Sequence, residues 1–283
     1  MMSKITGFAN AHVFWGLIIR FLMFIVLAVI SGFQDLIGQI RTKLKFRTEQ
    51  SKIFELKNSY KGERCFVICT GPSLTIDDLN LLKDEYTFAM NSIFLLLDKT
   101  TFRPSFYGCI DEEVFEKMKD NIFKYESDIA KVFISGRIRK HLKVLSPHWY
   151  NVSCNVAYHT YDRWFKNRFW CRFSGDAVFG TYDMYSVTHF LIQIAVYMGF
   201  KDIYLIGADC NQRVGKQVHF MDYGIDDRTL DTSRERNICG YEEIKRNMSR
   251  NNFSVYNATR GGELDVFERV NLDDLLSPKT SRG

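Results

Sequence analysis

Cys65-Phe-Val-Ile-Cys-Thr-Gly-Pro-Ser-Leu74 decides the fold. Five apolar residues run straight into a Gly-Pro-Ser turn, and Asp77 and Asp78 then favour the first turn of a helix. An apolar run of that length bounded by turn residues reads as a strand buried on both faces. Cys65 and Cys69 lie four apart on one face of such a strand, where cysteine packs as a small apolar residue. Thr70-Gly71-Pro72-Ser73 then fills the junction where an open parallel sheet binds phosphate. Gly71 lets the backbone approach closely, Pro72 stiffens the turn, and Ser73 adds a hydroxyl. The turn is neither a Walker A loop nor a Gly-x-Gly-x-x-Gly fingerprint. A plain strand-to-helix turn with Ser73 as helix cap satisfies the same residues.

Outward from the turn, the alternation repeats. Tyr86–Met90 reads as a strand ending at Asn91, and Phe106–Ile110 as one ending at Asp111, followed by an amphipathic helix over Glu112–Tyr125. Lys131–Ile134 is a further strand. Asp183–Met198 reads as a buried helix broken by Gly199, and Asp202–Ile206 as a strand ending at Gly207 and Asp209. This pattern predicts an α/β fold: a Rossmann-like, mostly parallel sheet with helices on both faces, over residues 61–276. Ligands of such sheets sit beyond the carboxyl ends of the strands, so strand-terminating residues are the candidates. Asn91 offers a paired donor and acceptor to a nucleotide, and is equally a turn former. Asp111 and Asp209 suit ribose hydroxyls or a metal, and also the N-cap of a helix. Residues 211–240 are polar and glycine-containing, which predicts an irregular lid. His219, the one histidine in that segment, is a candidate general base positioned on closure; a solvated loop histidine is the plain alternative. His12, His141, His148, His159 and His189 show no ligand spacing and read as structural.

The N-terminus has a different character. Val13–Phe33 is an apolar run of 21 residues with Arg20 as its single charge, long enough as a helix to cross a hydrocarbon core. Arg20 at mid-membrane would cost about 2.5–3.5 kcal/mol, but as the eighth residue of the run its side chain can reach toward one interface, and the run reads first as a membrane span and second as an interfacial anchor or a core helix. Residues 1–40 form the anchor, 41–60 a basic and polar connector, and 277–283 a disordered tail. Arg41, Lys43, Lys45 and Arg47 follow the run, so the positive-inside rule places the large domain at the inner face of the cytoplasmic membrane. A net charge of +5 with no aromatic stripe interleaved with Arg and Lys argues against nucleic acid as a partner. Seven cysteines without Cys-x-x-Cys spacing argue against a disulfide framework and a zinc site.

Three blocks resemble a known family. Phe66–Leu74, Thr87-Phe-Ala-Met-Asn91 and Tyr197-Met-Gly-Phe-Lys-Asp-Ile-Tyr-Leu-Ile-Gly-Ala-Asp209, with the tail Tyr256–Phe267, resemble the bacterial MptE-like domains, named after an archaeal 6-hydroxymethylpterin diphosphokinase. The resemblance covers about residues 60–276. The same blocks are similar to the bacterial CMP-sialic-acid-dependent sialyltransferases of GT-A-like fold. That similarity implies that Gly71, Pro72 and Ser73 hold the nucleotide phosphate and ribose, and that Asn91 contacts the nucleotide. It also implies that Ser186 or Thr188 faces the donor and that His219 deprotonates the acceptor hydroxyl. One departure concerns the lid tyrosines that clamp the leaving phosphate: Asn211 stands where the first is expected, and Tyr223 is the tyrosine nearby.

The expectation is a membrane-associated glycosyltransferase with a nucleotide-sugar donor, such as a CMP-linked nonulosonic acid, and a glycan or lipid-linked acceptor. It requires no cofactor. The rival is an ATP- and Mg²⁺-dependent pyrophosphokinase with Asp111 and Asp209 as metal ligands. A non-catalytic nucleotide-binding scaffold is the third reading.

Overall fold

The computed structural model describes residue 5 and residues 13–44, 49–165, 168–211, 219–221, 224 and 230–277. Lys45 and Arg47 of the basic cluster, His12, residues 212–218, 222–223 and 225–229 of the expected lid, Tyr223 among them, and 278–283 of the expected tail lie outside the described residues.

Ten strands are described: β1 (Arg64–Ile68), β2 (Thr87–Met90), β3 (Phe106–Cys109), β4 (Lys131–Ser135), β5 (Trp149–Val152), β6 (Cys154–Asn155), β7 (Thr181–Tyr182), β8 (Asp202–Ile206), β9 (Ser254–Asn257) and β10 (Glu268–Arg269). Eight of them form one sheet in the order β10-β9-β8-β1-β2-β3-β4-β5, with every pairing parallel, and β6 pairs with β7 alongside. The first expected strand is the centre of the sheet. Its last residue, Ile68, lies beside Ala89 of β2 and Ile206 of β8, so three strand ends open side by side.

Alternation along β1 sorts the core. Cys65, Val67 and Cys69 face one apolar layer, and Phe66 and Ile68 face the other. On the first side packs α4 (Val187–Met198); on the second pack α2 (Ile76–Leu81) and α3 (Glu112–Tyr125). Helices therefore cover both faces, as parallel pairing requires. A Cβ on Gly108 of β3 would lie 2.4 Å from Leu191 Cδ2, so the glycine lets the Leu191 side chain of α4 sit directly on the sheet. Thr75, and not Ser73, caps α2, in a capping box with Asp78, one of the two acids expected in the first turn.

Some boundaries differ from expectation. Helix α4 starts at Val187 rather than Asp183, because buried Gln193 accepts the Ser174 and Tyr182 N–H groups and donates to Tyr182 O, holding that segment extended. Within 211–240, expected to be irregular, the residues from Leu230 on are helical and belong to α5 (Leu230–Asn251). Residues 41–60 are also more structured than a connector. Helix α1 (Val13–Leu44) reaches into them, and Ile53 and Leu56 are buried in the core. β5, β9 and β10 extend the sheet beyond the strands read from the sequence.

Candidate functional site

The turn after β1 is bound to the end of β8. Gly71 N–H donates to Gly207 O at 3.0 Å, while Ser73 donates to Asp209 Oδ2 through N–H at 3.2 Å and Oγ at 2.9 Å. Any side chain at Gly71 would collide with this lock: a Cβ there would lie 2.0 Å from Asp209 Oδ2 and 2.4 Å from Gly207 O. Burial raises the pKa of the Asp209 carboxyl, and the Ser73 hydrogen bonds oppose that rise.

These bonds correct one sequence expectation. The main-chain donors of Gly71 and Ser73 are spent within the protein, and Pro72 has none, so the Gly-Pro-Ser turn is a structural lock more than an open phosphate cradle. Pro72 and Ser73 do not line the cleft beside the turn, whereas Thr70 and Gly71 do.

That cleft has a volume of about 120 Å³ and gathers Asn91, Ser186, Thr188, Asp209 and His219. Asn91 ends β2 with φ 48°, and Tyr107 Oη donates to its carbonyl at 3.0 Å. Ser186 caps α4 by accepting the Thr188 N–H, which opens the positive end of a 12-residue helix onto the cleft. The Thr188 hydroxyl is buried, 3.4 Å from both Cys69 Sγ and Met90 Sδ, so it supports the cleft floor. Burial pushes the Cys69 thiol up to about 12 and raises Tyr241 well above its ordinary value, so both stay neutral. Two non-glycine residues in left-handed conformation, Asn91 and Cys210, line the cleft, and such strain concentrates where function holds it in place.

His219, in the segment expected to form a lid, reaches this wall. Its Nδ1 lies 3.2 Å from Thr70 Oγ1, and the next residue, Phe220, donates its N–H to Thr70 O at 2.9 Å. Thr70 thus joins the strand end to the candidate base.

Asp111 stands elsewhere. Its Oδ1 accepts the N–H groups of Glu113 and Val114 at 2.8 and 3.1 Å, and it does not line the cleft, so the helix-cap alternative is the observed one. The paired metal-ligand role of Asp111 and Asp209 does not fit, since one caps α3 and the other locks the turn. Among the described residues no three His, Cys, Asp or Glu side chains gather as a metal site.

Two cleft residues, Asn237 and Tyr241, come from α5 and were missed in the sequence. A signal was present: Ile238, Tyr241, Ile244 and Met248 recur at helical spacing within a polar stretch, and all four pack on the core. His189 is also more than a plain structural residue. Fully buried, it bonds Met184 O at 2.6 Å, touches the Tyr241 ring, and is lowered by burial to about 4.

A second cavity of about 240 Å³ opens over β3, β4 and β5 on the same rim, lined by Ser135, Arg137, Cys154 and Asp183. Burial opposes the Asp183 charge, but His159 at 3.0 Å, the Tyr185 N–H and Arg137 outweigh it and hold the carboxyl below its ordinary value. The turn from Asp183 to Thr188 lies between the two cavities.

The family described as 6-hydroxymethylpterin diphosphokinase MptE-like matches residues 39–215, and the chain belongs to that family. Among solved structures, the chain is similar to the MAf glycosyltransferase from Magnetospirillum magneticum AMB-1, with TM-score 0.46 and 14% identity. That match covers 77% of this chain and 35% of the other. It is also similar to the sialyltransferase CstII from Campylobacter jejuni in complex with a substrate analogue, CMP-3FNeuAc, with TM-score 0.45 and 14% identity, over 74% of this chain and 86% of that one. Comparison with curated proteins gives no match.

Proposed function

We propose that this MptE-like protein is a glycosyltransferase that uses a nucleotide-sugar donor, such as a CMP-linked nonulosonic acid. The observation that carries the reading is the 3.2 Å approach of His219 Nδ1 to Thr70 Oγ1, which sets an imidazole at the rim of a cleft formed by strand ends and a helix N-terminus. With Nδ1–H donating to Thr70, Nε2 carries the lone pair that accepts the proton of an acceptor hydroxyl. The hydroxyl oxygen forms the new bond to the anomeric carbon, and the nucleotide phosphate departs with the electron pair of the broken bond. Ser186 and the amino end of α4 favour the charge that gathers on that phosphate, in place of the occupied Gly71 and Ser73 amides. The cavity at Arg137 and Asp183 suits the acceptor, with a guanidinium and a carboxylate to read its polar groups. In this reading the acceptor is a glycan or a lipid-linked sugar at the inner face of the cytoplasmic membrane, in surface polysaccharide or glycolipid synthesis.

The family description supports a second reading, ATP- and Mg²⁺-dependent pyrophosphoryl transfer. The bonds of Asp111 and Asp209 weigh against it, because a shared metal would need both carboxylates at one place. Calorimetric titration of the full chain in detergent with CMP, CDP, UDP, GDP and ATP, each with Mg²⁺ and with EDTA, separates the readings. Metal-independent binding of CMP or CDP is expected. ATP binding that disappears in EDTA would overturn the transferase. Binding without turnover, unchanged by His219→Ala, would leave a scaffold.

A further inference from the structure

Helix α1 has 32 residues and a rise of about 48 Å, and its two sides differ. On the inner side Leu27 and Ser31 are buried, and Ile19, Met23 and Phe24 pack against Tyr161, Trp164 and Phe165. Asp35 accepts from Arg172 at 2.7 Å, Tyr182 Oη at 2.8 Å and Asn155 Nδ2 at 3.1 Å, and Arg41 donates to Val178 O at 3.2 Å. On the outer side, Phe14, Phe21, Val29, Phe33, Ile40 and Leu44 mark an apolar stripe that runs the whole length. Few soluble proteins leave such an area uncovered.

We propose that α1 lies flat in one leaflet of an anionic bilayer, with the outer stripe among the acyl chains and the inner side carrying the domain. This inference rests on the membrane part of the proposed function and not on its chemistry. A crossing is the alternative, and the packing opposes it. The domain lies alongside α1 from Ile19 to Arg41, so a helix standing across the bilayer would draw Asn155, Asp35 and the open two-stranded pair β6–β7 into hydrocarbon. Backbone that is neither regular helix nor closed sheet does not survive there exposed to lipid. An in-plane helix needs only one side to be apolar.

The flank of α1 suits headgroups. Tyr161–Arg172 reads Tyr-Asp-Arg-Trp-Phe-Lys-Asn-Arg-Phe-Trp-Cys-Arg; with Arg172 paired to Asp35, the sequence still sets Arg163, Lys166 and Arg168 against one acid among its aromatics. Phe165 and Trp170 of that segment meet Phe24 edge to face at 6.4 and 6.1 Å, and Trp170 and Arg168 are exposed. A cavity of about 170 Å³ between α1 and the domain, lined by Asp35, Arg41 and Asn155, shares Ser153 and Cys154 with the cavity at Arg137 and Asp183. A polar row therefore leads from the leaflet toward the cleft, beside the head of any acceptor held there.

Flotation of the full chain with phosphatidylcholine vesicles, with and without phosphatidylglycerol, tests the seating. The chain should float with the anionic vesicles, and Val29→Asp with Phe33→Asp should lower the bound fraction at least about tenfold while leaving nucleotide titration unchanged. Failure of the native chain to float, or its recovery as a lipid-free dimer through this face, would overturn the proposal. Orientation is read with Ser3→Cys and a membrane-impermeant maleimide on cells producing the full chain. Labelling above the native background only after lysis is expected; labelling in intact cells would show a crossing and overturn it. Neither readout depends on transferase activity.

Discussion

The cleft wall and the lid residues His219–Met221 are held in different ways. The wall is an interlocked unit: Gly71 bonds Gly207, Ser73 bonds Asp209, and buried Thr188 sits between Cys69 and Met90. Among the described lid residues, His219 and Phe220 meet that wall at Thr70, through its hydroxyl and its carbonyl, and Phe220 and Met221 also pack on the core. The wall is coupled to the stability of the fold, while the lid is coupled to the position of one imidazole. Substitutions in the two regions should therefore separate binding and stability from rate.

The largest expected effect is on rate. His219→Ala should lower turnover about 10²–10⁴-fold, the usual contribution of a positioned general base, with nucleotide affinity and melting temperature unchanged. A melting temperature that drops with the rate would make His219 part of the wall and erase the distinction. Next comes Gly71→Ala. Its methyl group must displace the Asp209 carboxylate or the Gly207 carbonyl, which should cost about 3 kcal/mol, measurable by urea unfolding, and abolish nucleotide binding. An unfolding midpoint equal to that of the native chain would show that the lock yields cheaply.

A smaller effect follows from His189, against which α5 packs the wall. The folded state keeps it neutral down to about pH 4, whereas in the unfolded chain it takes a proton near its ordinary value. The unfolded state therefore binds more protons between those limits. The stability that His189 contributes is complete above about pH 6.5 and is lost as pH falls toward 4. Between pH 7.5 and 5.5 the loss should be about 1.3 kcal/mol, seen as a falling urea midpoint that flattens in His189→Gln. An equally steep fall in that variant would assign the pH response elsewhere.

What could be read in advance follows the same division. Cys65–Ser73 named the central strand and the turn, because a buried parallel strand is continuously apolar and its turn needs glycine. Asn91 and Asp209 were legible as strand ends, and Glu112–Tyr125 matched α3 to the residue. Asp111 was ambiguous by nature, since a helix cap and a ligand call for the same side chain at the same place. The bonds of the turn were not legible, because Gly71 and Gly207, like Ser73 and Asp209, lie 136 positions apart and local sequence is silent on which groups meet. Asn237 and Tyr241 were hidden by the polarity of α5, whose mixed surface read as loop. For α1, apolar length was legible and the packing partner was not, so the side that rests on the domain shows only in the structure.

The smallest expected effect concerns the residue that belongs to both regions. Thr70→Val keeps the shape of the strand end and removes the oxygen that meets His219 Nδ1. One neutral hydrogen bond is worth about 0.5–1.5 kcal/mol, so turnover should fall about 3- to 10-fold. Thr70→Ser retains the hydroxyl and should restore most of the rate. The carbonyl contact with Phe220 survives both changes, which keeps the lid docked and confines the difference to the imidazole. If Thr70→Val instead weakened CMP binding and left turnover at saturation intact, the hydroxyl would serve the nucleotide and not the base. The wall would then act on the ligand alone, and the lid would set the orientation of His219 without it. A fall in turnover at unchanged affinity, rescued by serine, would make Thr70 the positioning residue through which a rigid sheet edge aims a base carried on a loop.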